Sequence, residues 1–450
     1  MKTEILSKQS TPPLNSSSPE LAIVIPAWNE RENIDILLPA VKEEIAILGL
    51  IAEIVVVDGG SRDGTQEIAE RKGACVVRQQ ERGYGGALLA GFRATTAPYV
   101  ITMDTDLSHR PVFLAEFWKR RGQAEVLIAS RYVPGGQADM GWFRRLLSRI
   151  LNRTYSRVLS LPLRDLSSGF RMYRRDALST LTLVARDFDA LEEILIRVDA
   201  EGWRIQEIPF HYQARSAGSS HVRLFKFGWA FLKTLVRMWQ LRNSVAAADY
   251  DSRAFDSPIW LQRYWQRSRH RIILGYLDGQ GAILDIGCGS SRIIQDLAGA
   301  VGMDILQNKL RWLRARHKLL VRGSCDHLPF LDESFSAIIN SEVIEHVPDA
   351  PEIMTEMWRV LRPGGILILG TPDYGRWLWW VLEWIYGKVL PGAYAHEHIT
   401  RFTRDNLTDR LLTAGYEILD CRYVGFCEVI FKARKPFASN PRATQQGSVT

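Results

Sequence analysis

The chain has 450 residues, of which 46% are hydrophobic and 24% are charged. This length is about three times that of a common single domain, so we expect more than one hydrophobic core. The composition excludes a disordered or low-complexity chain. The 57 Lys and Arg outnumber the 50 Asp and Glu and give a net charge of +7. The five cysteines have no metal-ligand spacing, so a reducing compartment is expected.

The sequence contains no recognisable targeting signal and no membrane-spanning run. Residues 1–19 are polar and rich in Pro and Ser, and we expect them to form a disordered tail, as we do residues 436–450. Spanning a bilayer takes about 20 consecutive apolar residues. The closest candidate, residues 222–241, is interrupted by the basic residues Arg223, Lys226, Lys233 and Arg237. We therefore expect a cytoplasmic protein that can contact a membrane surface but cannot cross it.

Buried strands alternate with amphipathic helices in the first half of the chain. Strands are predicted at four Val/Ile-rich runs: 21–28, 53–60, 74–79 and 99–106. Helices are predicted between them, at about 32–48, up to Arg71, and after a Gly-rich turn at 83–86. Continuous apolar runs separated by helices indicate parallel strands covered on both faces. This half therefore predicts an α/β domain, placed at residues 20–242.

A second strand–helix series begins after a linker predicted at residues 243–257. Its strands are predicted at five runs: 282–290, 300–305, 319–324, 335–342 and 364–372. The same alternation indicates a second α/β domain, placed at residues 258–435. The two halves share a fold class but no motifs.

Two carboxylates follow the last strand of the first series, in Asp104-Thr105-Asp106. At the end of a parallel strand, carboxylates at i and i+2 can converge on one divalent cation, which a nucleotide diphosphate also binds. A bare pair of this kind is more often an ordinary acidic loop. Here PAWNERENI at 26–34 and VVVDGGSRDGT at 55–65 end neighbouring strands, and open α/β sheets bind ligands at that edge. The context favours a nucleotide site.

Residues 21 to about 241 resemble family 2 glycosyltransferases of the GT-A fold, and most of all the dolichyl- or polyprenyl-phosphate mannosyltransferases. Four more motifs carry the resemblance: MDTDLSHRP at 103–111, SRYVPGG at 130–136, DLSSGFRMYRR at 165–175 and EIPFHYQAR at 207–215. The resemblance implies six nucleotide-sugar-binding residues: Pro26, Trp28, Glu30, Val57, Asp58 and Thr105. It also implies four catalytic residues, two as ligands of Mg²⁺ or Mn²⁺ and two as phosphate-binding arginines: Asp104, Asp106, Arg131 and Arg215.

Two positions depart from the pattern of these relatives. Gly59 stands where relatives carry a second Asp that contacts the base or ribose, and His221 stands where they often carry Lys. The resemblance points to GDP-mannose as the donor, but the residues define only a nucleotide diphospho-sugar. An anionic acceptor suits the chemistry, because a phosphate oxygen attacks without needing a base to take a proton. Dolichyl or polyprenyl phosphate is therefore the expected acceptor.

Basic residues between 144 and 175 include nine arginines against the single acid Asp165. This strip suits an anionic head group or an anionic lipid surface, or it is a solvated face. Residues 222–241 combine a basic stripe with Trp and Phe, which fits a helix lying in the headgroup layer or one packed on the core. Nucleic acid is not an expected partner, because no aromatic stacking pattern accompanies the arginines.

A glycine turn opens the second half, in AILDIGCGSS at 282–291. Gly287 and Gly289 let the backbone approach a ligand closely. Asp304 follows Asp285 by 19 residues, and an acid at this spacing can bind ribose hydroxyls. A dinucleotide site is not expected, because Arg292 stands where that motif requires a third glycine. Three more motifs follow in order: SCDHLPF at 324–330, FSAIINSEVIEHVPD at 335–349 and VLRPGGILIL at 360–369.

Residues 260–433 resemble class I, Rossmann-like methyltransferases that use S-adenosylmethionine. The resemblance implies five residues around this cofactor: Asp285, Gly287, Gly289, Asp304 and Asp326. It places Glu345 and His346 on the methyl-acceptor side, and Ser291 replaces a glycine common in the family. His396 and His398 are acid–base groups or structural residues. Trp377, Trp380 and Trp384 form one helical face, on a core helix or on a lid over a lipid-like substrate.

The combined prediction is a bifunctional enzyme on the cytoplasmic face of a membrane. Its first half transfers a sugar, with inversion, from a nucleotide diphospho-sugar to a lipid phosphate. Its second half methylates an unidentified acceptor. Two alternatives stay open for the first half: transfer to a sugar hydroxyl, and a weakened binding module that recruits the methyltransferase to glycolipid.

Overall fold

The computed structural model of the protein describes residues 18–213, 224–348, 351–389 and 398–437. The chain divides into two compact units. The first contains the chain up to Val198 together with Arg204–Val236, and the second contains Asp199–Trp203 together with the chain from Arg237 onwards. Each unit is built on its own seven-stranded sheet with helices, which confirms the predicted α/β fold class.

Strands and helices alternate in the first unit. The strands are β1 (Leu21–Ala27), β2 (Ala52–Asp58), β3 (Cys75–Arg78), β4 (Tyr99–Thr102), β5 (Val126–Ser130), β6 (Gln137–Ala138), β7 (Arg171–Arg174), β8 (Ile205–Pro209) and β9 (His211–Tyr212). The helices up to residue 242 are α1 (Arg31–Ile47), α2 (Thr65–Arg71), α3 (Tyr84–Arg93), α4 (Leu114–Arg120), α5 (Trp142–Val158), α6 (Arg175–Ser179), α7 (Ala190–Ala200) and α8 (Leu224–Arg242).

The first sheet has the strand order β3-β2-β1-β4-β7-β5-β8. Strands β1 to β4 pair in parallel with one another, whereas β7 is antiparallel to both β4 and β5. Strands β6 and β9 form a separate parallel pair. The carboxyl ends of β1, β2 and β4 consequently lie at one edge of the sheet, where ligands of open α/β sheets bind.

Alternate residues of β1 build the cores on the two faces of this sheet. Ile23 and Ile25 are fully buried in the core that α1 covers. Val24 faces the other side, where α3 approaches so closely that a Cβ at Gly91 would lie 2.2 Å from the Val24 side chain. Because both faces are covered, the strand reads as a continuous apolar run in the sequence.

The second unit repeats the alternation with a different sheet. Its strands are β10 (Ile283–Ile286), β11 (Val301–Asp304), β12 (Leu320–Arg322), β13 (Phe335–Ser341), β14 (Leu361–Pro372), β15 (Glu417–Val424) and β16 (Glu428–Arg434). Its further helices are α9 (Tyr250–Phe255), α10 (Trp260–Tyr276), α11 (Arg292–Asp296), α12 (Gln307–Leu313), α13 (Pro351–Val360), α14 (Trp377–Val389) and α15 (Arg404–Thr413). A 3₁₀ turn, Ile344–His346, follows β13.

The second sheet has the order β12-β11-β10-β13-β14-β16-β15. Strands β10 to β14 pair in parallel, and β16 is antiparallel to β14 and β15. Leu284 belongs to the core that also contains Met357 of α13, whereas Ile283 belongs to the core that contains Ile273 of α10. The sheet is therefore covered on both faces, as its apolar runs predict.

The segment predicted as a linker, residues 243–257, is ordered as part of the second unit. It contains α9, whose Tyr250 and Ala254 are buried. The sequence alone did not predict this helix, because a helix of six residues is too short to show an apolar periodicity. The two predicted tails lie almost entirely outside the described residues, and the predicted domain boundaries stay predictions. In the described part of the chain, no helix is both long and apolar enough to cross a membrane.

Candidate active sites

The loops that follow β1 and β2 are bound to each other. The two strands pair with Ala27 beside Asp58, so both loops leave the sheet at the same edge. The Asn29 amide donates a hydrogen bond to the Ser61 hydroxyl at 2.8 Å, and the Arg62 amide donates to the Asn29 side chain at 2.9 Å. The two nucleotide motifs predicted from the sequence thus form one continuous surface.

Asp58 holds the second of these loops in shape. Its buried carboxylate accepts hydrogen bonds from the amides of Gly60 at 2.8 Å and Ser61 at 3.0 Å, and from the side chain of Gln66 at 2.5 Å. Burial opposes ionisation, but the hydrogen bonds from Ser61, Gln66 and Gly60 outweigh it and lower the pKa of Asp58. The side chain is therefore an ionised loop anchor.

The other residues expected around the nucleoside differ in accessibility. The Trp28 side chain is 52% exposed, and Pro26 and Glu30 are half-buried. Val57 is fully buried, so its side chain belongs to the core and does not line an open pocket. A Cβ at Gly59 would lie 3.4 Å from the Trp28 side chain, so the indole closely flanks the position at which relatives carry Asp.

Tyr84 and His109 flank Asp104 just beyond the end of β4. The Tyr84 hydroxyl donates a hydrogen bond to Oδ1 of Asp104 at 2.9 Å, and the Asp104 amide donates to Nδ1 of His109 at 3.0 Å. The remaining His109 nitrogen, Nε2, lies 3.7 Å from Oδ2 of Asp104. Burial and the neighbouring carboxylate raise the pKa of Tyr84 well above its usual value, so the phenol keeps its proton. Sequence reasoning missed both residues, although His109 lies within the MDTDLSHRP motif.

The two acidic residues predicted as metal ligands are differently exposed. The Asp104 side chain is 32% exposed, whereas Asp106 is buried and accepts hydrogen bonds from the amide and hydroxyl of Ser108. Thr105 is also buried. Carboxylate oxygens at one strand end are the donors that Mg²⁺ and Mn²⁺ prefer. The donor set therefore fits such an ion, with Asp104 as the more accessible ligand.

Arg131 is held by an acidic side chain. Its Nε and Nη2 donate to the Asp165 carboxylate at 2.8 and 2.6 Å, and Nη2 also donates to the Ser167 hydroxyl at 2.8 Å. These bonds use two of the three guanidinium nitrogens. A phosphate contact of the predicted kind is left to Nη1 unless the ion pair opens. Arg215 and His221 lie outside the described residues.

The nine arginines between 144 and 175 do not form one surface. Arg171 is fully buried and donates to the backbone carbonyls of Leu191 and Leu166. Arg174 and Arg175 are half-buried and bond to protein groups. The exposed members lie on α5 or shortly after it: Arg144, Arg149, Arg153, Arg157 and Arg164. The apparent strip is therefore partly structural, and its solvated part is the α5 surface.

Apolar side chains are exposed beside these arginines on α5 and again on α8. On α5 they include Trp142, Phe143, Leu146 and Ile150. On α8 they follow at i, i+3 and i+7, as Trp229, Leu232 and Val236. The two helices are in contact, because the Tyr155 hydroxyl donates to the Phe231 carbonyl at 2.6 Å. Arg223 and the Lys226 side chain, members of the predicted basic stripe, lie outside the described part.

The glycine turn after β10 requires glycine at two positions. The backbone is left-handed at Gly287, with φ +66°, and at Gly289, with φ +53°. A Cβ at Gly287 would lie 2.3 Å from Val343, and one at Gly289 would lie 2.6 Å from the carboxylate of Asp251. Asp304 fixes the turn from the next strand, because it accepts a hydrogen bond from the Gly289 amide at 2.8 Å.

Asp285 presents a buried carboxylate oxygen in the second unit. Its Oδ2 has no hydrogen-bond partner among the described residues. Burial and the nearby charge of Asp304 raise the pKa of Asp285 to about 8. An orphaned oxygen of this kind suits a cationic or N–H ligand, because burying it without a partner costs free energy. The chemistry fits the α-ammonium group of S-adenosylmethionine.

Asp251 is a residue that sequence reasoning missed. Asp251 lies on α9, and its carboxylate accepts hydrogen bonds from the amide and the hydroxyl of Ser290. It also forms an ion pair with Lys309 at 2.7 Å. The sequence marks Asp251 only as an acidic residue in the first turn of a short helix that precedes β10, the first strand of this unit. Ser291 also has a defined place, because its hydroxyl accepts a hydrogen bond from the Ile294 amide and caps α11.

Two further predicted features lie on the surface of the second unit. Asp326 is exposed after the end of β12. Trp377, Trp380 and Trp384 are 74%, 45% and 62% exposed on α14. The face that these tryptophans form is therefore not that of a buried core helix.

Glu345, His346 and His398 meet near the end of β13, where one nitrogen or oxygen from each lies within 4.8 Å of the other two. Burial raises the pKa of Glu345 to about 8. Burial, and then His346 and Arg401, lower the pKa of His398 to about 4, so its imidazole is neutral at physiological pH. The structure thus joins one of the two predicted histidines to the predicted acceptor side. His396 lies outside the described residues.

A known family model matches part of each half. The family model "Glycosyl transferase family 2" matches residues 22–182, and the family model "Methyltransferase domain" matches residues 284–369. Polyprenol monophosphomannose synthase of Mycolicibacterium smegmatis is 31% identical over 242 residues, which cover 50% of this chain and 89% of that protein. Dolichol-phosphate mannosyltransferase of Pyrococcus furiosus is 31% identical over 237 residues, which cover 50% of this chain. The match spans 65% of that protein, slightly under two thirds of its length.

Solved structures are similar at lower identity. Glucosyl-3-phosphoglycerate synthase of Mycobacterium tuberculosis, solved with Mn²⁺, UDP and glucosyl-3-phosphoglycerate, is 21% identical, with a TM-score of 0.39. The match covers 49% of this chain and 80% of that one. An S-adenosylmethionine-dependent methyltransferase of Thermotoga maritima is 22% identical, with a TM-score of 0.35, and the match covers 41% of this chain and 94% of that one.

Proposed function

The chain belongs to the family 2 glycosyltransferases and carries a methyltransferase domain in its second half, and on this premise we propose that one polypeptide catalyses two group transfers. The first is inverting transfer of a sugar from a nucleotide diphospho-sugar to dolichyl or polyprenyl phosphate, with GDP-mannose as the expected donor. The second is methylation of a glycan or lipid acceptor by S-adenosylmethionine.

The observation that carries the first activity is that Asp104 follows β4 at the same sheet edge as the two joined loops after β1 and β2. Asp104 and Asp106 would hold Mg²⁺ or Mn²⁺, which supplies positive charge to the diphosphate leaving group. Trp28 offers an exposed ring to the nucleoside. A lipid phosphate oxygen is already anionic, so the protein needs to position it and screen its charge rather than remove a proton. The names of the two relatives, a dolichol-phosphate mannosyltransferase and a polyprenol monophosphomannose synthase, support mannose as the sugar and a polyprenyl phosphate as the acceptor.

The observation that carries the second activity is a buried oxygen of Asp285 without a hydrogen-bond partner in the described part of the chain, next to the left-handed turn of Gly287 and Gly289. In the proposed complex Asp285, Gly287 and Gly289 surround the methionine moiety of the cofactor. Asp304 binds the ribose hydroxyls, and Asp326 lies near the adenine amine. Asp304 already accepts two backbone hydrogen bonds, and each carboxylate oxygen can accept another.

Peripheral attachment to the cytoplasmic face of a membrane is part of the proposal. Helices α5 and α8 together expose Trp, Phe, Leu and Val side chains beside arginines and Lys233. Aromatic and aliphatic side chains flanked by cations are typical of helices that lie in the headgroup layer. This surface would bring a lipid phosphate to the sheet edge of the first unit.

Transfer of radioactive label tests the glycosyltransferase proposal. The full chain is incubated with labelled GDP-mannose or UDP-glucose and with polyprenyl phosphate, with and without Mn²⁺. Label is expected in the organic phase, only with metal, and at least a hundredfold less with Asp104→Asn. Asp35→Asn, a change of a surface carboxylate paired with Lys72, is the matched control and should leave transfer unchanged. Label on a soluble sugar instead would favour the hydroxyl acceptor, and absence of label with every donor would favour a binding module.

Calorimetry with S-adenosylhomocysteine tests the methyltransferase proposal. The wild-type chain is expected to bind one molecule, and Asp304→Ala is expected to weaken binding at least tenfold, because ribose hydroxyls would lose a charged acceptor. Asp296→Ala, on the surface of the same unit, is the control. An affinity unchanged by Asp304→Ala would remove the ribose assignment.

A further inference from the structure

Three side chains of metal-binding type converge near the carboxyl end of β13. Glu345 and His346 lie in the 3₁₀ turn that follows this strand, and His398 comes from a distant part of the chain. One ligand atom of each lies within 4.8 Å of the other two. We propose that Glu345, His346 and His398 bind a divalent transition-metal ion on the acceptor side of the methyltransferase unit.

Glu345 supplies the first independent support. Its side chain is fully buried, and neither carboxylate oxygen has a hydrogen-bond partner within the described residues. The nearby Thr371 hydroxyl, which favours the charged form of Glu345, likewise has no hydrogen-bond partner among the residues that the structure describes. A buried carboxylate without a partner costs free energy, and a bound cation compensates that cost.

The orientation of His398 supplies the second support. The Tyr374 hydroxyl donates its single proton to Glu383 at 3.0 Å, and Nδ1 of His398 lies 2.7 Å from the same hydroxyl. Nδ1 must therefore carry the imidazole proton and donate it to the tyrosine oxygen. The lone pair then resides on Nε2, which is buried and has no partner among the described residues. Metal-bound histidines are oriented by such a bond at the other ring nitrogen.

The donor set indicates the class of ion. Two imidazoles and one carboxylate suit Zn²⁺, Fe²⁺, Co²⁺ or Mn²⁺ better than Ca²⁺ or Mg²⁺, which prefer oxygen donors. Three protein ligands leave coordination positions open, as in catalytic rather than structural sites. The carboxylate that lies nearest to Glu345 in the sequence, Glu342, precedes it. Glu342 pairs with Arg269 at 3.1 Å and is not needed as a ligand.

The cluster also lies next to the proposed cofactor turn. A Cβ at Gly287 would lie 2.3 Å from Val343, two residues before Glu345. An acceptor hydroxyl bound to the ion would release its proton to water more readily. Its oxygen would then form a bond to the methyl carbon, while the carbon–sulfur bond breaks and its electron pair returns to sulfur, giving a methyl ether and S-adenosylhomocysteine. This role rests on the proposed methyltransferase function, and it makes the acceptor a hydroxyl compound.

Cobalt binding tests the site on the full chain. The first unit is silenced as a metal site by Asp104→Asn with Asp106→Asn, and Co²⁺ is added alone. We expect one ion per chain by calorimetry and a visible absorption band of a histidine-ligated ion. Glu345→Gln and His398→Ala should each weaken binding at least a hundredfold.

Two further variants separate the site from its surroundings. Tyr374→Phe should weaken Co²⁺ binding about tenfold or more, because it removes the bond that orients His398. His270→Ala, which removes a histidine paired with the surface carboxylate of Asp296 at 2.8 Å, should have no effect. Catechol, an oxygen chelator, should shift the band of the bound ion.

Binding of S-adenosylhomocysteine by each variant shows that it is folded. If this ligand binds but Co²⁺ does not, or if Co²⁺ binding survives Glu345→Gln and His398→Ala, the metal site is wrong while the methyltransferase proposal stands. If Co²⁺ binds but S-adenosylhomocysteine does not, the metal site stands and the methyltransferase proposal fails. A band that catechol does not shift would overturn the role in binding an acceptor hydroxyl.

Discussion

Lowering the pH from 8 to 6 is expected to weaken the binding of S-adenosylhomocysteine roughly fifty-fold, through Asp285. Burial and Asp304 raise the pKa of this carboxyl group to about 8 in the free protein. The α-ammonium group of the ligand would pair with the carboxylate form only. Binding must therefore displace a proton from every molecule in which Asp285 is protonated, and this fraction increases as the pH falls.

The magnitude follows from the two populations. With a pKa of about 8, half of the free protein carries the Asp285 carboxylate at pH 8, and about one hundredth carries it at pH 6. The ratio of roughly fifty corresponds to about 2.3 kcal/mol of binding free energy. At pH 7 about 0.9 proton should be released for each ligand bound.

Calorimetry in two buffers with different heats of ionisation measures both quantities. Asp285→Asn should bind more weakly at pH 8, release no proton and show a flat pH profile. The variant should be at least as stable as the wild type at pH 8. Burial opposes the charged form of Asp285 and raises its pKa, so the carboxylate that forms as the pH rises destabilises the wild-type fold. Equal affinities at pH 6 and pH 8, with no dependence on the buffer, would refute the assignment of Asp285.

Three further results are expected. Asp104→Asn should lower glycosyl transfer at least a hundredfold and leave S-adenosylhomocysteine binding unchanged in calorimetry, and a parallel loss of both would contradict two separate sites. Gly289→Ala should destabilise the chain by about 1–3 kcal/mol in thermal denaturation and weaken cofactor binding, because the backbone at Gly289 is left-handed. Gly275→Ala on α10 should be neutral or stabilising, because a Cβ at that position has no atom within 4 Å. Changing Trp229 and Leu232 to Ser should reduce sedimentation with anionic liposomes about tenfold or more, and unchanged sedimentation would place the membrane surface elsewhere.

The fold could be predicted from the sequence because both sheets are covered on both faces. A strand such as β1 must then be apolar throughout, and it stands out between helices. Gly287 and Gly289 could be predicted for a related reason, since a Cβ at either position would lie within 2.6 Å of a neighbouring side chain. Covered strands and restricted turns leave signals that are local in the sequence.

Contacts between distant segments could not be predicted in this way. The bond between Tyr84 and Asp104 joins residues 20 positions apart, and the ion pair of Lys309 with Asp251 spans 58 positions. Neither pair leaves a spacing that a single sequence reveals. The partners of a charged side chain decide its role, and they are set by the tertiary fold.

Charge counted along the sequence was the least reliable guide. Arg171 belongs to the basic strip in the sequence, but in the fold it is buried and bonds to backbone carbonyls. The resemblance implies that Arg131 binds phosphate, but two of its three guanidinium nitrogens donate to Asp165. A guanidinium group binds carbonyls and carboxylates as readily as phosphates, so composition alone cannot separate these cases.

The central claim is that one chain carries two independent transferase sites, and reciprocal variants of one preparation test it most directly. Organic-phase label from a nucleotide sugar and calorimetric binding of S-adenosylhomocysteine are measured side by side for the wild type, Asp104→Asn and Asp285→Asn. Asp104→Asn should lose only the label, and Asp285→Asn should lose only the tight, pH-dependent binding. A wild-type chain that transfers no label from any donor to polyprenyl phosphate, or that does not bind S-adenosylhomocysteine, would contradict the central claim.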